Sequence, residues 1–192
     1  MSELSEAIRI NDQERFDKLI KNNYDLNIKD YYGRTALMNA IMYGKKEFAT
    51  KLIDAGCDLN IISRAENAAI HFDETHFDDI KLKLIEAGCD LNIKNGYGNT
   101  ILMEACKKNL PNLITKLIEV GCNLDIKNES NKIYKAYVTK SMEPIIEKAL
   151  KLRNRYIKLL KICIRYIKRN RKFFEERDIN RLNRDLRGFF IF

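Results

Sequence analysis

Six residues in one short stretch, His71, Asp73, Glu74, His76, Asp78 and Asp79, have side chains able to hold a divalent metal. Imidazole and carboxylate are suitable ligand types for such an ion. The spacing does not suit it: His71 and His76 are five apart, and a helix brings together residues three or four apart. The stretch reads instead as a solvated turn between two short helices, and no metal site is expected. No phosphate-binding glycine loop, nucleophile elbow or Cys-x-x-Cys pair occurs. No catalytic constellation is present, so neither an enzyme activity nor a cofactor is expected.

Cysteine is the other reactive residue type, and the chain has five. An odd count in a chain without an export signal favours reduced thiols. Cys57, Cys89 and Cys122 each follow a glycine, Gly56, Gly88 and Gly121, in successive copies of one pattern. Equivalent positions of stacked helical units lie about 10 Å apart. That is beyond the roughly 7 Å that a disulfide tolerates, and far from the convergence that zinc needs. These cysteines read as small, semi-buried residues reused by duplication.

The pattern that positions all of these residues is a repeat. Asp25-Leu26-Asn27-Ile28 returns as Asp58-Leu59-Asn60-Ile61, as Asp90-Leu91-Asn92-Ile93 and loosely as Asn123-Leu124-Asp125-Ile126, at steps of 33, 32 and 33 residues. A period of this length marks a stacked-repeat architecture, in which each unit buries its apolar face only against its neighbours. In this register Thr35-Ala36-Leu37-Met38-Asn39-Ala40 aligns with Thr100-Ile101-Leu102-Met103-Glu104-Ala105, and Leu52-Ile53 aligns with Leu84-Ile85 and Leu117-Ile118. Two short helices fit each unit. The first begins at a capping threonine and breaks at Gly44 or Asn109. The second ends at Gly56, Gly88 or Gly121, as a left-handed cap would.

These features resemble the ankyrin repeat family, whose unit is a turn and two antiparallel helices with a Thr-Pro-Leu-His-x-Ala signature. Here the signature reads Thr35 to Ala40, after the turn Asp30-Tyr31-Tyr32-Gly33, and Thr100 to Ala105, after Asn95-Gly96-Tyr97-Gly98. Proline is absent from both copies, and methionine replaces the histidine. The implied fold is all-α: an ankyrin-repeat solenoid of helix-turn-helix units with short β-turn fingers, plus a C-terminal helical extension. The units are approximately 1–28, 29–61, 62–93, 94–126 and a degenerate 127–152, followed by a basic helical tail, 153–192. The first unit starts inside its first helix, with Ser2 as the counterpart of Thr35. In the third, Ala68 replaces the capping threonine and Asp73 falls where alanine is buried elsewhere, so its first helix is expected to end early or shift. In the fifth, Lys135 sits where Leu102 would, while Pro144 suits the first turn of the second helix.

The charge is uneven. Residues 151–192 hold 14 Lys/Arg and 4 Asp/Glu, a net of +10 in a chain whose total is +8. Tyr156, Leu159, Leu160, Cys163, Ile164 and Ile167 recur at helical steps, and Lys158, Lys161, Arg165, Lys168, Arg169 and Lys172 recur on another face. A second short helix is expected from Asp178 to Gly188. The apolar stripe would close the open end of the stack. Alternatives are a basic face that contacts nucleic acid or an anionic membrane surface, and a segment that docks on a partner or recruits a partner complex. No run of 18 apolar residues occurs, and the start Met1-Ser2-Glu3-Leu4-Ser5-Glu6 lacks the features of a secretory signal. A cytoplasmic location, or a nuclear one, is the expectation.

The resemblance implies a monomeric, non-catalytic scaffold that binds another protein on its concave side, through turn tips and the outer face of the first helices. Those positions are Lys29, Tyr31, Tyr32, Arg34, Met42 and Tyr43 in the second unit. In the third they are Ile62, Arg64, Ala65 and Asn67, and in the fourth Lys94, Tyr97, Asn99, Lys107 and Lys108.

Overall fold

The computed structural model describes residues 2–72 and 78–169, except for the side chains of Asp78 and of 167–169. Every regular element among the described residues is helical, in the order α1 (Glu3–Ile10), α2 (Gln13–Lys21), α3 (Ala36–Met42), α4 (Lys46–Asp54), a 3-10 turn (Ala69–His71) and α5 (Asp78–Glu86). Then come α6 (Ile101–Lys107), α7 (Pro111–Val120), a second 3-10 turn (Tyr134–Tyr137) and α8 (Glu143–Arg169). The contacts divide the chain into two units, Met1–Ile101 with Lys127–Lys132, and Leu102–Ile126 with Ile133–Phe192.

In the first unit, α1, α2 and α3 each start at a side-chain cap. The Ser2 hydroxyl accepts the Ser5 N–H at 3.2 Å, Asp12 accepts that of Arg15 at 2.9 Å, and Thr35 accepts that of Met38 at 3.4 Å. Each satisfies a donor that the helix cannot pair internally. Leu4, Ala7 and Ile8 are fully buried, as are Leu37, Ala40 and Ile41, so both first helices turn the same face inward. The chain reverses at Gly44, whose φ of +67° suits glycine. Phe16 of α2 meets Phe48 of α4 edge-to-face at 4.7 Å. Ion pairs link the same series of second helices on their exposed sides: Asp17 to Lys51 and Asp54 to Lys83, both at 2.8 Å. The hydrogen bond from Lys51 holds the Asp17 carboxyl below its ordinary range. In the open, where water screens them, such pairs add little to stability.

The Asp-Leu-Asn-Ile motif is a turn and a link at once. Its first side chain accepts the N–H two residues on: Asp25 from Asn27 at 2.9 Å, Asp58 from Asn60 at 2.9 Å and Asp90 from Asn92 at 2.8 Å. This local bond is the reason aspartate is favoured at a turn start. The third side chain reaches the following copy, Asn27 to the Asp58 N–H and Asn60 to the Asp90 N–H.

The third repeat departs as the sequence suggests. Ala68 makes no side-chain cap, and three residues of 3-10 helix stand where α3 has seven residues of α-helix. Asp73, Glu74 and His76 lie outside the described residues, as does the side chain of Asp78. Of the six residues considered for a metal, that leaves His71, half-buried, and Asp79, which is ion-paired with Lys46.

In the second unit α7 starts at Pro111 and stops at Gly121, whose φ is +104°. Leu113, Ile114, Leu117 and Ile118 are buried, and α7 packs on α8. The fifth repeat has a 3-10 turn in place of its first helix. Its second helix is α8, which has Pro144 in its first turn and runs unbroken to Arg169. The division placed between 152 and 153 falls inside this helix, because no glycine, proline or cap interrupts the helical steps there. The second tail helix expected from Asp178 lies outside the described residues. No helix among the described residues is long and apolar enough to cross a membrane.

Candidate interaction surface

The exposed site begins with a carboxylate. Asp30 Oδ1 accepts the N–H of Tyr32 at 2.8 Å and that of Arg34 at 2.9 Å, and the Asp30 N–H donates to the Arg34 carbonyl at 2.8 Å. Asp30 Oδ2 accepts from Asn39 Nδ2 at 3.0 Å, and Asn39 also donates to Ser5 Oγ at 3.1 Å. A tight loop clamped at its base must present the residues at its apex, Tyr31 and Tyr32, to solvent. They are 74% and 58% exposed.

The same clamp recurs along the first unit. Ser63 Oγ accepts the Asn67 N–H at 3.3 Å, Asn95 Oδ1 accepts those of Tyr97 and Asn99 at 3.0 Å, and Asn128 Oδ1 accepts that of Lys132 at 3.0 Å. The turns also touch. Arg64 donates its N–H to the Tyr32 carbonyl at 3.0 Å, and a Cβ on Gly33 would sit 2.9 Å from the Arg64 nitrogen. Glycine is therefore required at 33 both for space and for its φ of +72°.

Turn-on-turn contact brings side chains of two repeats into one layer. The Tyr31 and Tyr32 rings meet edge-to-face at 5.4 Å. The guanidinium carbon of Arg34 lies 4.8 Å from the Tyr32 centroid, and that of Arg64 lies 4.9 Å from the Tyr31 centroid. Arg34 Nη1 also donates to Met42 Sδ at 3.0 Å, and Lys29 Nζ donates to the Ile62 carbonyl at 3.2 Å. The result is an Arg–Tyr–Tyr–Arg stack with a lysine beside it. Cation–π contacts at exposed sites contribute about 0.5–1 kcal/mol each, enough to favour one arrangement of long side chains. Among the described residues no carboxylate ion-pairs with Lys29, Arg34 or Arg64. The turn's own acid, Asp30, already accepts from three N–H groups. The layer is thus aromatic, positively charged and ordered.

The other expected positions divide. Tyr43 is exposed at the end of α3, and Lys94 and Tyr97 are exposed on the fourth turn. Asn67 is half-buried, and its N–H and carbonyl close the third turn on Ser63. Asn99 requires a correction. It is 2% exposed, and its Oδ1 accepts from Asn128 Nδ2 at 2.8 Å, so it joins two turns and presents nothing to a partner. Lys107 and Lys108 lie in the second unit and are exposed. Lys107 pairs with Glu104 at 3.3 Å and lies over the Tyr137 ring at 4.8 Å.

Asn39 was absent from the sequence expectation, yet it braces Asp30 from inside the core. The signal was a polar residue within the apolar run Ala36-Leu37-Met38-Asn39-Ala40-Ile41, which a buried position tolerates only with partners.

On α8, Lys158, Lys161 and Arg165 are exposed; the side chains of Lys168, Arg169 and Lys172 lie outside the described residues. The apolar stripe is split rather than uniformly covered. Leu160 is buried and Ile164 half-buried, while Tyr156, Leu159 and Cys163 are exposed.

Residues 4–72 match a family model described as ankyrin repeats (3 copies), and residues 84–133 match one described as ankyrin repeats (many copies). Together the two matches span more than half of the chain. A comparison with curated proteins returned no match.

Proposed function

Since the chain belongs to the ankyrin repeat family, whose repeats generally serve as protein–protein interaction modules, we propose that it is a non-catalytic scaffold. It binds a partner protein through the concave side of its repeats. Its principal contact is the layer formed by Tyr31, Tyr32, Arg34 and Arg64. The observation that carries this reading is the pair of tyrosines, largely exposed yet held in place by two guanidinium groups. Tyrosine and arginine dominate the energetics of many interfaces because they contribute large, stiff contact area. Ordering them before contact lowers the entropic cost of association. Lys29, Arg34 and Arg64, with no ion-paired carboxylate among the described residues, favour an acidic segment on the partner, since charge complementarity speeds encounter and selects partners.

The test is affinity capture with the full chain, comparing wild type with Tyr31→Ala/Tyr32→Ala/Arg34→Ala. All three substitutions are at a surface turn, so the fold should be retained, which a melting curve checks. A partner captured by wild type and lost from the triple variant supports the reading. Capture that is indifferent to the substitutions places the binding surface elsewhere.

A further inference from the structure

Helix α8 has two apolar edges that differ in burial. One edge holds Ile146, Ala149 and Leu160, all buried, with Ile157 and Ile164 half-buried. A separate edge holds Leu152, Tyr156, Leu159, Ile162 and Tyr166, at steps of four, three, three and four, each between 45% and 62% exposed. Beside that seam run Lys151, Arg155, Lys158 and Arg165, all exposed. No aspartate or glutamate occurs from Lys148 to Arg169. Among the described residues, Glu147 pairs with Lys151 at 2.7 Å, and Glu119 lines a shallow hollow with Leu152, Arg153 and Tyr156.

We propose that α8, from Leu152 to Tyr166, binds the surface of an anionic phospholipid membrane, with its apolar seam in the headgroup layer and its basic flank on the lipid phosphates. A helix with one apolar edge and a Lys/Arg flank lies in the interface plane, held by buried apolar area together with attraction to anionic lipid. It does not cross the bilayer, since no described helix is long and apolar enough.

Two features favour lipid over a partner helix. A coiled-coil seam needs aliphatic residues at its inner positions. Here Tyr156 and Tyr166 take two of the five seam positions, and a tyrosine hydroxyl is better placed at a membrane–water boundary. From Arg155 to Arg165 the flank has one sign, which suits a uniformly negative surface and gives no alternation for register with a second helix. Against nucleic acid, phosphate contacts make no use of an exposed apolar seam.

The experiment is vesicle flotation of the full chain, with phosphatidylcholine alone and with about 30 mol% phosphatidylserine added. Wild type should float with the mixed vesicles only, and less so as salt rises. Leu159→Glu/Ile162→Glu should weaken flotation at least about tenfold. Arg155→Glu/Lys158→Glu/Arg165→Glu should weaken it by about a hundredfold or more, since each basic residue near such a surface contributes about fivefold. Both variants change exposed residues, and an unchanged melting temperature shows that the fold is intact. The proposal is overturned if wild type does not float, or if the seam variant floats like wild type. It is also overturned if the chain binds duplex DNA as tightly as the vesicles, or if seam substitutions abolish capture of an acidic protein in a chain that ignores vesicles. The inference is independent of the turn-tip reading, because Tyr31→Ala/Tyr32→Ala/Arg34→Ala should float unchanged.

Discussion

The Asn27 side-chain oxygen accepts the backbone N–H of Asp58 at 2.9 Å, and Asn60 makes the same bond to Asp90 at 2.7 Å. Asp58 is at that moment the acceptor for Asn60, so each copy of the motif is tied to the next through one residue. Removing the side-chain acceptor leaves an N–H that water can still reach, so the cost is that of a net hydrogen bond. Asn27→Ala should destabilise by about 1 kcal/mol, and Asn27→Ala/Asn60→Ala by about twice that. Urea unfolding measures both. A combined loss below about 0.5 kcal/mol would mean that water replaces the link without penalty.

Glu66 and Gly33 occupy equivalent turn positions, at φ of +57° and +72°. A side chain in this region costs about 1–2 kcal/mol, a penalty that glycine avoids. Glu66→Gly should therefore stabilise, by about 0.5–1 kcal/mol after the added freedom of the unfolded chain is subtracted. Gly33→Ala should do the opposite and cost more, since its Cβ also meets the Arg64 backbone. Thermal melts of the two variants should move in opposite directions. A shift in the same direction would contradict the turn geometry.

The repeat was readable because its positions are set by local chemistry that recurs. A side chain that caps a turn or helix must have an oxygen, so Asp25, Thr35 and Asp58 mark their places in any copy, and subtracting 33 from Thr35 finds the Ser2 cap. Ties between turns were less readable, because they depend on what the neighbouring repeat presents. Asn99 looks like a surface polar residue until Asn128 is seen to bond it. Tyr31 and Arg64 are 33 residues apart, and only the stacking of the turns turns that spacing into contact. The length of α8 was hidden for another reason: a helix-compatible sequence carries no sign of where a repeat ends and an extension begins.

The third repeat should open before the second. Its 3-10 turn at Ala69–His71 has few internal bonds and no side-chain cap, while α3 has Thr35 and a full α-helix. Amide exchange should be faster across 69–72 than across 36–43. Ala68→Thr supplies the missing hydroxyl and should slow it, provided the buried site admits the extra atoms. Equal exchange in the two repeats would show that packing, rather than capping, sets local stability here.

Burial sets the chemistry of four of the five thiols. It pushes Cys57, Cys89 and Cys122 up to about 12 and Cys106 up to about 11, from an ordinary 9.0. All five are free, and only Cys163 is exposed. A thiol reagent on the native protein should modify Cys163 quickly and the other four only on unfolding. The same shifts make stability depend on pH in one direction. The folded chain keeps protons that the unfolded chain releases, so these groups contribute their full stability below about pH 9 and lose it as pH rises toward 11–12. Within that window each buried thiol steepens the decline by about 1.4 kcal/mol per pH unit. Cys57→Ala removes one such group, and its stability measured in urea between about pH 9.5 and 10.5 should fall less steeply than that of wild type by that amount. Parallel slopes would mean that Cys57 ionises as readily in the folded chain as in the unfolded one, and its burial beneath the repeat could not then be as described.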